Sequence, residues 1–75
     1  MPIVTIRTIK GILTKDKKAE LHKRITDLLV EIEGEGKEEF RQLVIVTIDE
    51  DEPEHFSMGG IPASKELIDA LLGRP

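Results

Sequence analysis

The chain has 75 residues, which is enough for one domain spanning residues 1–75. A domain of this size buries only about 60–65% of the surface that its unfolded chain exposes, so its core is thin. The net charge of −4 and the presence of only two aromatic residues, Phe40 and Phe56, argue against nucleic acid as a partner. Because the sequence contains no cysteine, we expect neither a disulfide nor a cysteine-rich zinc site.

The hydrophobic content gives further expectations about partners and location. Hydrophobic residues make up 39% of the chain, which is generous for so thin a core, so we expect apolar surface to be buried between subunits. No apolar run approaches the length of a membrane span, and the N-terminus lacks the pattern of a signal peptide. These features favour a cytoplasmic protein with no membrane partner.

The first half of the chain predicts a strand followed by a long helix. Residues 2–9 are rich in β-branched side chains and carry aliphatic residues on both faces, which predicts a strand covered on both sides. Thr14 is a predicted N-cap for a helix from Lys15 to Glu33 that ends at Gly34 or Gly36. The apolar stripe predicted for this helix consists of Leu21, Ile25, Leu28, Leu29 and Ile32.

A second strand follows a polar connection. Residues 37–42 are expected to link the two elements, with a short turn of helix. The nearly continuous apolar run from Leu43 to Ile48 predicts a central strand covered on both faces. The order strand, long helix, strand predicts parallel pairing with a right-handed crossover.

The C-terminal third predicts a turn, a hairpin and a short helix. The acidic residues 49–54 are expected to end the second strand as a solvated turn. They lack the alternating ligand spacing and the glycine of a calcium-binding loop, so no metal site is predicted. Gly59-Gly60 predicts a tight hairpin, and residues 65–72 predict a turn or two of helix. The predicted fold class is therefore α+β, a parallel β-α-β unit with a small C-terminal β-hairpin.

The order and spacing of these features resemble the 4-oxalocrotonate tautomerase family. The match begins with Met1-Pro2-Ile3, a β-branched strand and Gly11, and continues through a Lys/Glu-rich helix and a second strand of the Val-Ile-Val type. It ends with His-Phe-Ser-Met-Gly-Gly at residues 55–60 and Ala-Ser-Lys at residues 63–65, so it covers residues 1–66. The resemblance implies subunits that pair sheet to sheet and assemble into a homo-hexamer, or into a hetero-hexamer of two related chains.

The resemblance also implies a chemistry centred on Pro2. After removal of Met1, Pro2 becomes an N-terminal secondary amine that serves as a catalytic general base. The implied activity is a cofactor-independent keto–enol tautomerase, an isomerase of the intramolecular-oxidoreductase type that acts on a small enol or 2-oxo acid. Phe56 matches the family's aromatic residue before Gly-Gly, and is the implied substrate-binding wall of the pocket.

The sequence departs from the family at two substrate-binding arginines. One family arginine follows the glycine that ends the first strand, where this chain has Ile12, and the other opens the second strand, where it has Ile45. We therefore expect Ile12 and Ile45 to line an unusually aliphatic pocket. Arg41 is a candidate substrate-binding residue in place of the missing arginines, and Arg7 and Arg74 are further candidates.

Two readings of this departure are open. In one, the enzyme takes a less anionic and more apolar substrate. In the other, the chain is a non-catalytic or partner-dependent subunit of a hetero-oligomer, because some assemblies of this family divide the proline and the arginines between two kinds of subunit.

Overall fold

The computed structural model describes residues 1–74 and contains the predicted β-α-β unit. Its main elements are two strands and the helix between them: β1 (Ile3–Ile9), α1 (Lys15–Ile32) and β2 (Ile45–Asp51). The strands pair in parallel, with Ile3 opposite Ile45 and Ile9 opposite Asp51. Parallel neighbours require a crossover connection. Helix α1 provides it, because it is long enough to return the chain to the start of the sheet.

The remaining elements are short. They comprise two 3-10 helices (Glu38–Leu43 and Pro53–His55), strands β3 (Ser57–Met58) and β4 (Ile61–Pro62), and helix α2 (Lys65–Leu71). β3 and β4 pair antiparallel across Gly59-Gly60, which confirms the predicted hairpin. Both glycines have positive φ, of 62° and 83°, a conformation that glycine adopts without steric penalty.

The second strand lies further along the chain than the sequence predicted. The prediction of a strand from Leu43 to Ile48 is wrong at both ends, because Leu43 belongs to a 3-10 helix and the strand continues to Asp51. Two of the acidic residues in the strand have cationic partners on neighbouring elements. Asp51 accepts a hydrogen bond of 2.9 Å from Arg7, and Glu50 lies 2.5 Å from the amine of Lys18 on α1.

Helix α1 begins at the predicted cap and ends beside Phe40. The Thr14 hydroxyl accepts a hydrogen bond of 3.2 Å from the backbone N–H of Lys17. Gly34, just past the helix, is buried against Phe40, and a Cβ at Gly34 would lie 2.7 Å from the Phe40 Cβ. A glycine is therefore required at this point for the chain to pack against the first 3-10 helix.

The predicted apolar stripe of α1 is only partly correct. Leu21, Ile25 and Leu29 are half-buried, whereas Leu28 and Ile32 are 51% and 68% exposed. The buried residue of the helix is Val30, which the predicted stripe omitted. The helix thus presents a second apolar line, formed by Leu28 and Ile32, away from its own sheet.

The sheet is covered on one face only. Val4, Ile6, Val46 and Ile48 are half-buried on the covered face, whereas Ile3 and Ile45 are 67% and 40% exposed on the other. The prediction that both faces of the strands are covered is therefore wrong within a single chain. The reason is that the chain has one long helix, and one helix covers one face.

The core of the single chain is minimal. Val30 and Ala63, each 5% exposed, are the buried hydrophobic residues among residues 1–74. The radius of gyration is 15.6 Å, whereas a compact domain of this length would have about 11 Å. Among the same residues, no helix combines the length and the apolar character that a membrane span requires.

Candidate active site

Pro2 lies immediately before β1 and is held there by the neighbouring strand. Its carbonyl oxygen accepts a hydrogen bond of 3.0 Å from the backbone N–H of Ile45. A proline suits the first position of a strand because it has no N–H to donate to the ladder. The bond fixes the carbonyl side of Pro2 and places its nitrogen at the open end of the sheet.

The surface around Pro2 is apolar. Met1 precedes it and is 76% exposed, Ile3 follows it and is 67% exposed, and Ile45 beside it is 40% exposed. We call Ile3 and Ile45, which lie beside Pro2 whether or not Met1 is attached, the proline patch.

Phe56 lies near the opposite end of the sheet. Its backbone N–H donates to the carbonyl of Pro53 at 3.0 Å, and its own carbonyl accepts from the N–H of Ala63 at 2.8 Å. The ring is half-buried, and the guanidinium carbon of Arg7 lies 6.0 Å from the ring centroid. This distance is at the outer limit of a cation–π contact.

The structure therefore does not bring Pro2 and Phe56 together within one chain. Pro2 sits at the start of β1, and Phe56 contacts Arg7, five positions later in the same strand. At the rise of a parallel strand this separation corresponds to about 16 Å. Ile45 lies at the Pro2 end, whereas the half-buried Ile12 follows β1 at the Phe56 end.

Arg41 is held between two carboxylates at the junction of α1 and the first 3-10 helix. Its Nη1 donates to Asp27 at 2.7 Å and its Nε donates to Glu38 at 2.5 Å. The hydrogen bonds to Glu38 and Asp27 raise the pKa of Arg41, and the hydrogen bond from Arg41 holds the pKa of each carboxyl below its usual value. The sequence pattern did not predict this cluster of Arg41, Asp27 and Glu38, because Asp27 lies on α1 and the other two residues lie on the 3-10 helix. The role of Arg41 in substrate binding stays a prediction.

The Phe56 end of the sheet is rich in ion pairs. Arg7 pairs with Asp51 at 2.9 Å, and the hydrogen bond and charge of Asp51 raise the pKa of Arg7, with a smaller contribution from Asp49. Two further pairs, Lys10 with Glu52 at 3.3 Å and Lys18 with Glu50 at 2.5 Å, complete the arrangement. Within residues 1–74, no group of three or more potential ligand side chains is arranged to hold a metal.

A cleft of about 230 Å³ lies elsewhere, where α1 meets the first 3-10 helix. Its walls come from residues after α1 and from that 3-10 helix, including Gly34, Phe40 and Leu43. It contains none of the predicted site residues, so it does not connect Pro2 with Phe56.

Comparisons with protein families and with solved structures identify the class of protein to which this fold, with Pro2 before its first strand, belongs. A family model described as "Tautomerase enzyme" matches residues 2–66, and the chain belongs to that tautomerase family. The resemblance noted in the sequence is thereby confirmed. A comparison with curated proteins gave no match.

Two solved structures show the same fold. DmpI from Helicobacter pylori is 25% identical, with a TM-score of 0.64 over 81% of this chain and 94% of that chain. YwhB, a homologue of 4-oxalocrotonate tautomerase, is 24% identical, with a TM-score of 0.67 over 81% of this chain and 92% of that chain. Most of α2 lies beyond the residues that the family model matches.

Proposed function

We propose that this chain is a cofactor-independent tautomerase that moves a proton within a small enol or 2-oxo acid, with the Pro2 amine as general base. The observation that carries the proposal is the position of Pro2. The family match starts at this residue, and the hydrogen bond from Ile45 anchors its carbonyl while leaving its nitrogen at the end of the sheet.

The proposed chemistry requires removal of Met1. While Met1 is attached, the Pro2 nitrogen is a tertiary amide, and resonance with the carbonyl removes its basic lone pair. Met1 is 76% exposed, which leaves its peptide bond accessible to an aminopeptidase. The α-amino groups of peptides titrate at about 7.7–8.0, so a free N-terminal amine is partly neutral near physiological pH.

The proton transfer needs only the amine and the substrate. The neutral Pro2 nitrogen accepts the proton of the enol hydroxyl, and the oxygen lone pair forms the new carbonyl bond. As that carbonyl bond forms, the electron pair of the carbon–carbon double bond takes the proton from the ammonium at the neighbouring carbon. The amine is regenerated, no atom is gained or lost, and no cofactor takes part.

We further propose that a second copy of the chain completes the site. β1 pairs with β2 along one edge, and its other edge has no partner strand among residues 1–74. Two copies related by a two-fold axis through this edge would pair their β1 strands antiparallel. The Pro2 end of one copy would then approach the Phe56 end of the other. Exposed Leu28 and Ile32 provide apolar surface for assembling such dimers into a homo-hexamer.

Turnover of phenylenolpyruvate tests the proposed base. Protein whose mass shows that Met1 is absent should ketonise this enol, as followed by the loss of its ultraviolet absorbance. The matched control keeps Met1 and every side chain, so it differs only in lacking a free amine. We expect kcat/KM to be at least about 100-fold lower in that control. Equal activity in the Met1-bearing protein would overturn the proposal.

The aliphatic residues Ile12 and Ile45 favour a second candidate, a partner-dependent subunit. In that case the Met1-free protein would assemble but remain inert alone. Mixing with a companion chain that carries arginines at these two positions would then produce turnover. A fully active homo-oligomer would exclude this second function.

A further inference from the structure

We infer that the active site selects uncharged, apolar enols and carbonyl compounds over the corresponding carboxylates. The inference narrows the proposed function, since it favours uncharged enols over the 2-oxo acids named there. It rests on that function, because it assumes that Pro2 and Phe56 flank the bound molecule. It concerns how the ligand is recognised and not which group moves the proton.

The first observation is that every arginine already pairs with a carboxylate of the protein. All four, Arg7, Arg24, Arg41 and Arg74, lie within ion-pairing distance of a carboxylate of their own chain. The guanidinium group is the side chain that binds a carboxylate through two parallel hydrogen bonds, so these are the residues that an acidic substrate would need. In a homo-oligomer every copy has the same pairs, so an acidic substrate would have to compete with a carboxylate of the protein for any arginine.

The second observation concerns the charge at the Phe56 end. Arg7, Lys10 and Lys18 are the cations paired there, and they face a run of five acidic residues at Asp49, Glu50, Asp51, Glu52 and Glu54. The local charge is therefore negative. A carboxylate approaching the Phe56 ring would have to displace Asp51 from Arg7 or share the guanidinium with it, and the neighbouring Asp49 would repel it.

The third observation concerns the Pro2 end. The proline patch offers aliphatic side chains, and Ile3 and Ile45 face each other in register across the two strands. A carboxylate placed there would lose its water and gain no hydrogen-bonding cation, which is unfavourable. An ester, amide or ketone of the same shape loses much less on leaving water. Both ends of the proposed site therefore disfavour the anion.

A pair of ligands of similar shape, one anionic and one neutral, tests the inference without relying on turnover. Cinnamate and cinnamamide share one shape, and their binding to Met1-free protein can be followed through the resonances of Ile45 and Phe56. We expect cinnamamide to bind about 10-fold more tightly than cinnamate. The difference in affinity should be larger when the acid compared is a dicarboxylate. Kinetics should agree, with the methyl ester of phenylenolpyruvate having the lower KM than the acid.

A gain of charge at one position sharpens the test. Ile45→Arg should reverse the preference, so that cinnamate binds more tightly than cinnamamide. Ala19→Arg adds the same charge on an exposed position of α1 and should leave the preference unchanged. Tighter or equal binding of cinnamate to the unmodified protein would overturn the inference, and so would the absence of binding by both ligands. Failure of the proposed base would appear separately, as turnover that does not depend on a free Pro2 amine.

Discussion

Pro2 and Phe56 lie at opposite ends of one parallel strand pair. Pro2 accepts a hydrogen bond from Ile45 where the strands begin, and Phe56 lies beside Arg7 toward their other end. The part of β1 from Pro2 to Arg7 spans about 16 Å, which exceeds the reach of a small substrate. A site that uses both residues must therefore combine two copies of the chain, which agrees with the exposed apolar surface of a single copy.

Gly34→Ala should destabilise the fold through Phe40. The added Cβ would lie 2.7 Å from both Cβ and Cγ of Phe40, so the ring or the first 3-10 helix must move. Overpacking of this kind costs about 1–3 kcal/mol in the free energy of unfolding, measurable by urea denaturation. Combining it with Phe40→Ala should give a loss smaller than the sum of the two single losses. Strict additivity would show that Gly34 and Phe40 do not interact.

Arg41→Gln should reduce stability near neutral pH and have little effect in strong acid. The pKa values of Asp27 and Glu38 are lowered by Arg41, so both carboxyls bind protons more weakly in the folded chain than in the unfolded one. Their stabilising contribution is fully present above the unfolded pKa of about 4 and is lost as the pH falls through the folded values. The difference in melting temperature between wild type and variant should therefore shrink as the pH falls from 7 to about 2.

Arg24→Gln is the matched control for this experiment. Arg24 pairs with Glu20 within a single exposed face of α1, and such pairs contribute little. Its melting temperature should stay close to that of the wild type at each pH. A constant difference for Arg41→Gln across the pH range would mean that Arg41 acts through packing and not through its two carboxylates.

Ile32→Glu should weaken assembly more than it weakens the single chain. Ile32 is 68% exposed and belongs to the apolar line that α1 directs away from its own sheet. A charge there would be buried and unpaired in a subunit interface but solvated in a free chain. Sedimentation should show a smaller species, with helix content preserved. Glu31→Gln, at the neighbouring exposed position, should leave the assembly intact.

Local patterns predicted those parts of the fold that depend on local interactions. The β-branched run gave β1, Thr14 marked the start of α1, and Gly59-Gly60 marked the hairpin. The end of β2 could not be predicted in this way. Asp51 lies opposite Ile9 in the strand pair, and its carboxylate accepts a hydrogen bond from Arg7, 44 residues earlier. The sequence pattern does not reveal these distant partners, so the acidic segment was predicted to be a turn.

The arrangement of the candidate site also depends on contacts between residues that are distant in the sequence, and local patterns do not predict these contacts. The sequence identified Pro2 and Phe56 from a family pattern, but their placement at opposite ends of the sheet follows from the parallel register of β1 with β2. Arg41 was predicted near the substrate because it lies four residues before Ile45, a position where the family has an arginine. Its partner Asp27 lies 14 residues away on α1, and only tertiary packing brings the two together.

Subunit complementation tests most directly the central claim that Pro2 acts in a site shared between two copies. Protein that keeps Met1, and Phe56→Ala protein freed of Met1, are assayed separately with phenylenolpyruvate and again after being unfolded and refolded together. Each protein alone should be nearly inactive. The mixture should recover roughly a quarter of the wild-type activity, because half of the dimers are mixed and each of those has one intact site. A mixture no more active than the separate proteins would contradict the claim.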